Sequence, residues 1–260
     1  MRLLDLTLET PAENVALDEA LLDEAEGASD GANSEVLRFW EPRQIFIVAG
    51  NSSRLAEEVN LAVCRARNIP VLRRASGGAT IVTGPGCLMY AVLLAYRGRS
   101  HLRDISEAHR FVLEKIAEAL QDAGRKTQAG SGQPAARSLL PAIGRAGISD
   151  LALGEPPSLK FSGNSLRCKR NHFLYHGTLL YNFPIDEITE LLKMPSRQPA
   201  YRQARGHGDF LTNLPLERGI LRQALTEAFG VTDPRIDWPR ELTAKLTAEK
   251  YSQPEWNERL

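Results

Sequence analysis

The chain is poor in cysteine, with three in 260 residues at Cys64, Cys87 and Cys168. They are scattered and form no C-x-x-C pair, which excludes a disulfide framework and a cysteine-based zinc site. No apolar run approaches the roughly 20 residues of a membrane-spanning helix. The N-terminal stretch MRLLDLTLETPAEN contains Asp5 and no apolar h-region, so it does not read as a signal peptide. Neither sign of charge is in excess: 32 Lys+Arg face 32 Asp+Glu. That balance argues against a nucleic-acid binder working by phosphate neutralisation. His101, His109, His172 and His207 show no metal-ligand spacing, and no G-x-x-x-x-G-K-[ST] loop is present. The expectation is a reduced, cytoplasmic protein without a nucleic-acid or membrane partner and without a resident metal site. At 43% hydrophobic and 25% charged, it has the composition of a globular chain able to bury a core unaided.

Thr10-Pro11-Ala12-Glu13 carries a helix start, with a capping threonine, proline in the first turn and glutamate three residues after the cap. Leu17 and Leu21 continue that helix, and Gly27–Asn33 reads as a loop. Strands are expected at Leu3–Leu8, Val36–Trp40, Gln44–Ala49, Ile69–Arg74, Ile81-Val82, Leu88–Tyr96 and Phe173–Asn182. Helices are expected over Arg54–Ala66, Glu107–Ala123, Pro184–Lys193, Pro215–Phe229 and Glu241–Tyr251. Gly124–Gly147, rich in Gly, Ala, Ser, Gln and Arg, reads as an exposed loop or lid. Strands and helices mix without regular alternation. This predicts an α+β fold with a central mixed or antiparallel sheet flanked by helices.

Three segments carry chemistry. In Arg73-Arg74-Ala75-Ser76-Gly77-Gly78-Ala79-Thr80, two arginines end a strand and enter a turn of small residues. Such a turn lets backbone N–H groups approach an anion, and arginine adds fixed charge for carboxylate or phosphate. In Leu159-Lys160-Phe161-Ser162-Gly163-Asn164-Ser165, a lysine precedes a Ser-Gly turn and would set a point charge over it. In His176-Gly177-Thr178, glycine inside a strand marks a close approach, and the strand is expected to pair with the Lys160 segment. Cys64 reads as core and Cys168 as a hairpin residue. Cys87, at a loop-to-strand junction, is the best thiol candidate.

Taken in order, these segments resemble the lipoate–protein ligase A family of the biotin/lipoate ligase and octanoyltransferase superfamily. The matching pieces begin with Asn14 to Leu22 (NVALDEALL), Leu37 to Pro42 (LRFWEP) and Arg73 to Gly78 (RRASGG). They continue with Ile148 to Leu151 (ISDL), Lys160 to Ser165 (KFSGNS), Tyr175 to Leu180 (YHGTLL), Tyr201 to Arg205 and Asp209 to Leu214. The resemblance covers nearly the whole chain and implies one catalytic domain over 1–260. It implies activation of lipoate or octanoate by ATP, with Mg²⁺, to an acyl-adenylate. That intermediate would then acylate a lysine on a lipoyl carrier domain of the 2-oxoacid dehydrogenase E2 or glycine-cleavage H-protein type. By motif match, Lys160 would contact the acyl carbonyl and phosphate, and Asp150 would hold the acceptor lysine or the adenylate. Arg73, Arg74, Ser76, Gly77, Gly78, Ala79, Thr80 and Cys87 would line the substrate and adenylate site. Ser162, Gly163, Asn164, Ser165, His176, Gly177 and Thr178 would complete its wall. An apolar slot including Leu72, Val82 and Phe161 is expected to take the C8 chain.

The chain also departs from the family. Ala79 replaces a third glycine, Thr83-Gly84 stand where His-Asp is common, and Cys87 replaces an asparagine. Gly84-Pro85-Gly86 looks more like the octanoyltransferase branch. The segment Tyr251 to Asn257 resembles the point where many ligases enter a C-terminal accessory domain, so that domain is expected to be absent and a separate accessory subunit becomes an expected partner. Two alternatives to the ligase follow. One is an ATP-independent octanoyl or lipoyl transferase using Cys87 through a thioester. The other is a non-catalytic lipoate-binding homologue.

Overall fold

In the computed structural model, residues 1–27, 34–130, 140–156 and 158–259 are described, with the backbone alone for 128–130. After strand β1 (Arg2–Asp5), helix α1 (Pro11–Gly27) begins at the expected capping box. The Glu13 amide donates to Thr10 Oγ1 at 3.2 Å, and the Thr10 amide donates to Glu13 Oε2 at 2.8 Å. The predicted loop Gly27–Asn33 lies outside the described residues except for Gly27, the last residue of α1.

The chain continues through β2 (Val36–Trp40), β3 (Phe46–Ala49), α2 (Leu55–Glu58), α3 (Leu61–Ala66), β4 (Val71–Arg73), β5 (Ile81–Thr83) and β6 (Cys87–Ala95). Then come α4 (Ile105–Gly130), β7 (Ile143–Ala146), β8 (Asp150–Leu153), β9 (Leu159–Cys168), β10 (His172–Leu180), α5 (Ile185–Leu191) and α6 (His207–Phe210). The last elements are α7 (Arg218–Ala228), β11 (Asp233–Pro234), α8 (Arg240–Leu246) and α9 (Pro254–Asn257).

The main sheet has eight strands in the order β11-β1-β2-β6-β10-β9-β8-β7. β1 pairs in parallel with β2 and β11, and the remaining neighbours are antiparallel. The strand Cys87–Ala95 is buried on both faces, as its unbroken apolar run requires of a central strand. Tyr90, Val92 and Leu94 face a core with Leu113, Ile116 and Leu120 of α4. Ala91 and Leu93 face the opposite core with Leu17, Leu21 and Leu22 of α1. Helices therefore flank both sides, the α+β arrangement expected from the sequence. A second sheet of three strands, β4-β3-β5, carries the small-residue turn between β4 and β5.

Several boundaries differ from the sequence reading. The helix expected over Arg54–Ala66 is broken at Val59, which pairs with Leu192. Gly124–Gly147 is not one loop. α4 continues through the helix-forming run after Ala123, and β7 pairs with β8, with 131–139 between them outside the described residues. Gly124 fits inside that helix because a Cβ there would stand 2.2 Å from Leu140 Cδ2. α7 starts at Arg218 rather than Pro215 and ends before Gly230, whose φ of 60° suits a left-handed stop.

Candidate active site

The small-residue turn holds its carbonyls and leaves its amides unpaired among the described residues. The carbonyls of Ser76, Gly77, Gly78 and Ala79 are all tied down. Asn51 N donates to Ser76 O, Ser165 Oγ and Arg74 Nη2 to Gly77 O, Ser53 Oγ to Gly78 O, and Arg74 Nη2 to Ala79 O. None of the four corresponding amides has an acceptor among the described residues. Backbone donors left free beside fixed carbonyls form a nest for negative charge. Gly78 has φ of 87°, and a Cβ on Gly50 would stand 1.9 Å from the Gly78 oxygen, so both positions need glycine.

Arg74 adds a cation to this nest. It is buried and has no carboxylate partner among the described residues. Burial pushes its guanidinium down to about 10, partly opposed by the distant Glu58. Arg73 behaves differently. It is fully buried and donates to the carbonyls of Gly50, Asn51, Ser53, Asn257 and Arg259. It lines neither cavity of the site and instead ties the C-terminal segment to β4, so its expected contact with substrate is corrected.

Lys160 does not precede a turn. Lys160 to Ser165 all lie within β9, and the pairing with β8 slips there. Asp150 faces Gly163 and Ala152 faces Lys160, leaving Phe161 as an extra residue. This bulge puts Lys160 and Gly163 on the face that carries Asp150. Lys160 Nζ lies 2.8 Å from Asp150 Oδ1, and Tyr201 Oη donates to Asp150 Oδ2 at 2.7 Å. Burial and the Asp150 charge push the Tyr201 phenol up. A Cβ on Gly163 would stand 3.1 Å from the lysine nitrogen, so glycine leaves room for the ammonium.

Two cavities meet at this lysine. The larger, about 400 Å³, is lined by Arg74, Gly78, Asn164, Ser165, His176 and Gly177, with Val15, Trp40, Val48 and Met89 as apolar wall. The smaller, about 110 Å³, is lined by Val82, Phe161, Ser162, Thr178, Leu180 and Phe210, with Glu58, Arg202 and His207 as polar members. Ala79, Thr80, Ile81, Lys160 and Gly163 border both, and Asp150 borders the larger. Of the expected slot, Val82 and Phe161 line the smaller cavity and Leu72 lines neither. β9 and β10 pair with Ser165 opposite His176 and Asn164 opposite Gly177. A Cβ on Gly177 would lie 1.7 Å from Asn164 Oδ1, the close approach anticipated for that glycine.

Ser76 and Gly77 shape the nest without lining either cavity. Cys87 is also outside both. Its thiol is fully buried beside Thr83 and Met89, and burial pushes it up to about 12. Cys64 is core and Cys168 lies exposed at the end of β9. The proposed thiol nucleophile is therefore corrected: none of the three cysteines reaches the cavities. The sequence reading missed Asp18, Trp40, Glu58, Tyr201 and His207. Asp18 had a signal, since it falls one turn after Asn14 on the helix face that also carries Leu17 and Leu21.

The family described as the lipoyl protein ligase A/B catalytic domain matches residues 10–229. The lipoate–protein ligase 1 of Staphylococcus aureus is 28% identical over 95% of this chain and 70% of its own length. The octanoyltransferase LipM of Moorella thermoacetica is 26% identical over 96% of both chains. The fold is shared with a bi-partite lipoate protein ligase from Thermoplasma acidophilum, described with its E2 lipoyl domain. That likeness has a TM-score of 0.76 at 21% identity, covering 99% of this chain and 96% of the other. It is also shared with a lipoate–protein ligase A bound with ATP, with a TM-score of 0.71 at 22% identity over 99% and 98% of the two chains.

Proposed function

The chain belongs to the lipoyl protein ligase A/B catalytic-domain family, and from that premise we propose that it is an ATP-dependent lipoate–protein ligase. Lipoate or octanoate attacks the α-phosphate of ATP and releases pyrophosphate. The acyl-adenylate then loses AMP when the amine of a carrier lysine attacks the acyl carbonyl. One observation carries the choice over a thioester transferase: Lys160 stands where the two cavities meet, and no cysteine lines either. The similarity to LipM octanoyltransferases keeps the transferase as the competing reading.

In this reading the acyl chain packs against Val15, Trp40, Val48 and Met89, and the nucleotide extends toward the smaller cavity. The free amides of Gly78 and Ala79 and the Arg74 guanidinium, which border the larger cavity, receive the phosphate charge. Lys160 stabilises the charge that develops on the acyl carbonyl and the leaving phosphate, and Asp150 orients it. Among the described residues there is no cluster of three metal-ligating side chains. A Mg²⁺ ion accompanying ATP would take most of its ligands from the nucleotide's phosphates and water and would offset their charge. The acceptor is a lipoyl carrier domain of the E2 or H-protein type. The bi-partite Thermoplasma ligase extends the proposal to a separate accessory polypeptide.

Mass spectrometry of an apo carrier domain, incubated with lipoate and with or without ATP, tests this. The expected result is acylation of the carrier lysine only with ATP. Transfer from an octanoylated donor carrier without ATP overturns the ligase in favour of the transferase.

A further inference from the structure

We propose that His176 is a positioning residue that aims the anion nest through Ser76, a proposal resting on the reading of that nest given above. A continuous chain of hydrogen bonds joins helix α1 to the nest. Arg38 Nη1 donates to Asp18 Oδ1 at 2.5 Å, and His176 Nδ1 stands 3.0 Å from Asp18 Oδ2. His176 Nε2 stands 2.6 Å from Ser76 Oγ, which also accepts from Arg74 Nε at 3.0 Å. Arg38 is wholly buried, Ser76 nearly so, and Asp18 and His176 border the larger cavity.

For a neutral His176 ring the donors and acceptors admit one direction. Asp18 is a carboxylate: burial opposes its charge, but Arg38 and His176 outweigh burial and hold its pKa below the usual range. A carboxylate only accepts, so His176 donates from Nδ1. With Nδ1 protonated, Nε2 of the neutral ring accepts the single hydroxyl proton of Ser76. The lone pairs of Ser76 are then left for Arg74 Nε.

The consequence reaches the nest directly. Nε is the inner end of the Arg74 guanidinium, and fixing it fixes the fork whose Nη2 holds the Gly77 and Ala79 carbonyls at 2.6 and 3.0 Å. The Gly77 carbonyl shares its peptide plane with the free Gly78 amide, so holding it fixes a donor that borders the larger cavity. Four of the five Arg74 N–H groups are spent on this frame, leaving one Nη1 hydrogen for an anion. The relay thus acts on phosphate binding without touching phosphate.

The test is a double-mutant cycle with Ser76→Ala and His176→Asn. The asparagine keeps a donor for Asp18 and is too short for Ser76. The probe is a non-hydrolysable acyl-sulfamoyl adenosine, titrated calorimetrically. Each single change is expected to weaken binding by about tenfold, and the double change also by about tenfold, because both remove one linkage. A double effect near hundredfold, the product of two independent ligand contacts, overturns the proposal, as does unchanged binding in either single variant. Independently, ¹⁵N NMR of the unliganded wild-type chain at neutral pH should show His176 protonated at Nδ1 alone. An Nε2–H tautomer or an imidazolium overturns the relay. A wild-type chain that binds no analogue refutes the ligase reading, and the NMR spectrum still decides the relay.

Discussion

Lys160 and Asp150 sit on neighbouring strands yet share one face, with Nζ 2.8 Å from Oδ1, because Phe161 is an extra residue in the β8–β9 ladder. Without the bulge, Lys160 and Gly163 would point to opposite faces, since strand side chains alternate. In the proposed reading the lysine serves the ligand rather than the core. Lys160→Ala is expected to lower kcat/KM for carrier lipoylation by about 10²–10³-fold, the usual scale for losing one preorganised charge stabiliser. The melting temperature should fall only modestly, since the buried Asp150 carboxylate keeps the Tyr201 hydroxyl as a partner. Steady-state kinetics and calorimetry on the same preparation check both, and an unchanged rate refutes the assignment.

Neighbouring arginines should separate binding from stability. Arg73 serves five carbonyls around β4 and the C-terminal segment, so Arg73→Ala leaves buried acceptors unsatisfied. Its expected cost is about 3 kcal/mol or more, seen as a clear fall in denaturation midpoint. Arg74→Ala removes the cation of the nest and is expected to weaken binding of the acyl-sulfamoyl adenosine by about 10–100-fold. A matched loss of binding in both variants, corrected for the folded fraction, contradicts this division.

What the sequence disclosed and what it hid follow from the range of the interactions. The capping box of α1 is local, so Thr10 and Glu13 are readable in the chain and appear in the fold. Gly78 and Gly177 are also local signals of close approach, and the structure brings them to the wall of one cavity. Arg73 and Arg74 are adjacent and chemically identical, and no local rule tells which one faces the ligand. That depends on the carbonyls of residues 50–53 and 257–259. The bulge at Phe161 is set by pairing with β8, a partner that no local pattern around Lys160 reveals. Asp18 gains its meaning only from Arg38 and His176, which lie 20 and 158 residues along the chain.

Cys87 is a core residue, and a thiol held near 12 is not ionised at neutral pH. Cys87→Ala is expected to retain ATP-dependent lipoylation within about twofold while costing about 1 kcal/mol through the space it leaves. Iodoacetamide on the folded wild-type chain should label Cys168, the exposed thiol, without loss of activity. Abolished acyl transfer in the alanine variant, with the fold retained by circular dichroism, returns the thioester route.

Stability should fall with acidity in two separate windows. Burial holds the imidazoles of His109 and His207 below their ordinary value of 6.5, with Arg145 acting in the same direction on the first and Arg202 and Lys160 on the second. A depressed folded pKa means that the unfolded chain binds the extra protons, so stability drops as pH falls through about 6.5. The Asp18 carboxyl is also depressed, but its contribution is complete above its ordinary 3.8 and is lost only as pH falls through the lower folded value. The melting temperature is therefore expected to decline from about pH 7.5 to 5.5 and to decline again below about pH 4. His109→Gln, which cannot take up that proton, should flatten the first decline and leave the second. Asp18→Asn should lower stability at neutral pH, with the gap to wild type closing below about pH 4. Scanning calorimetry across this range measures both, and a first decline equally steep in the His109 variant shows that this histidine does not drive it.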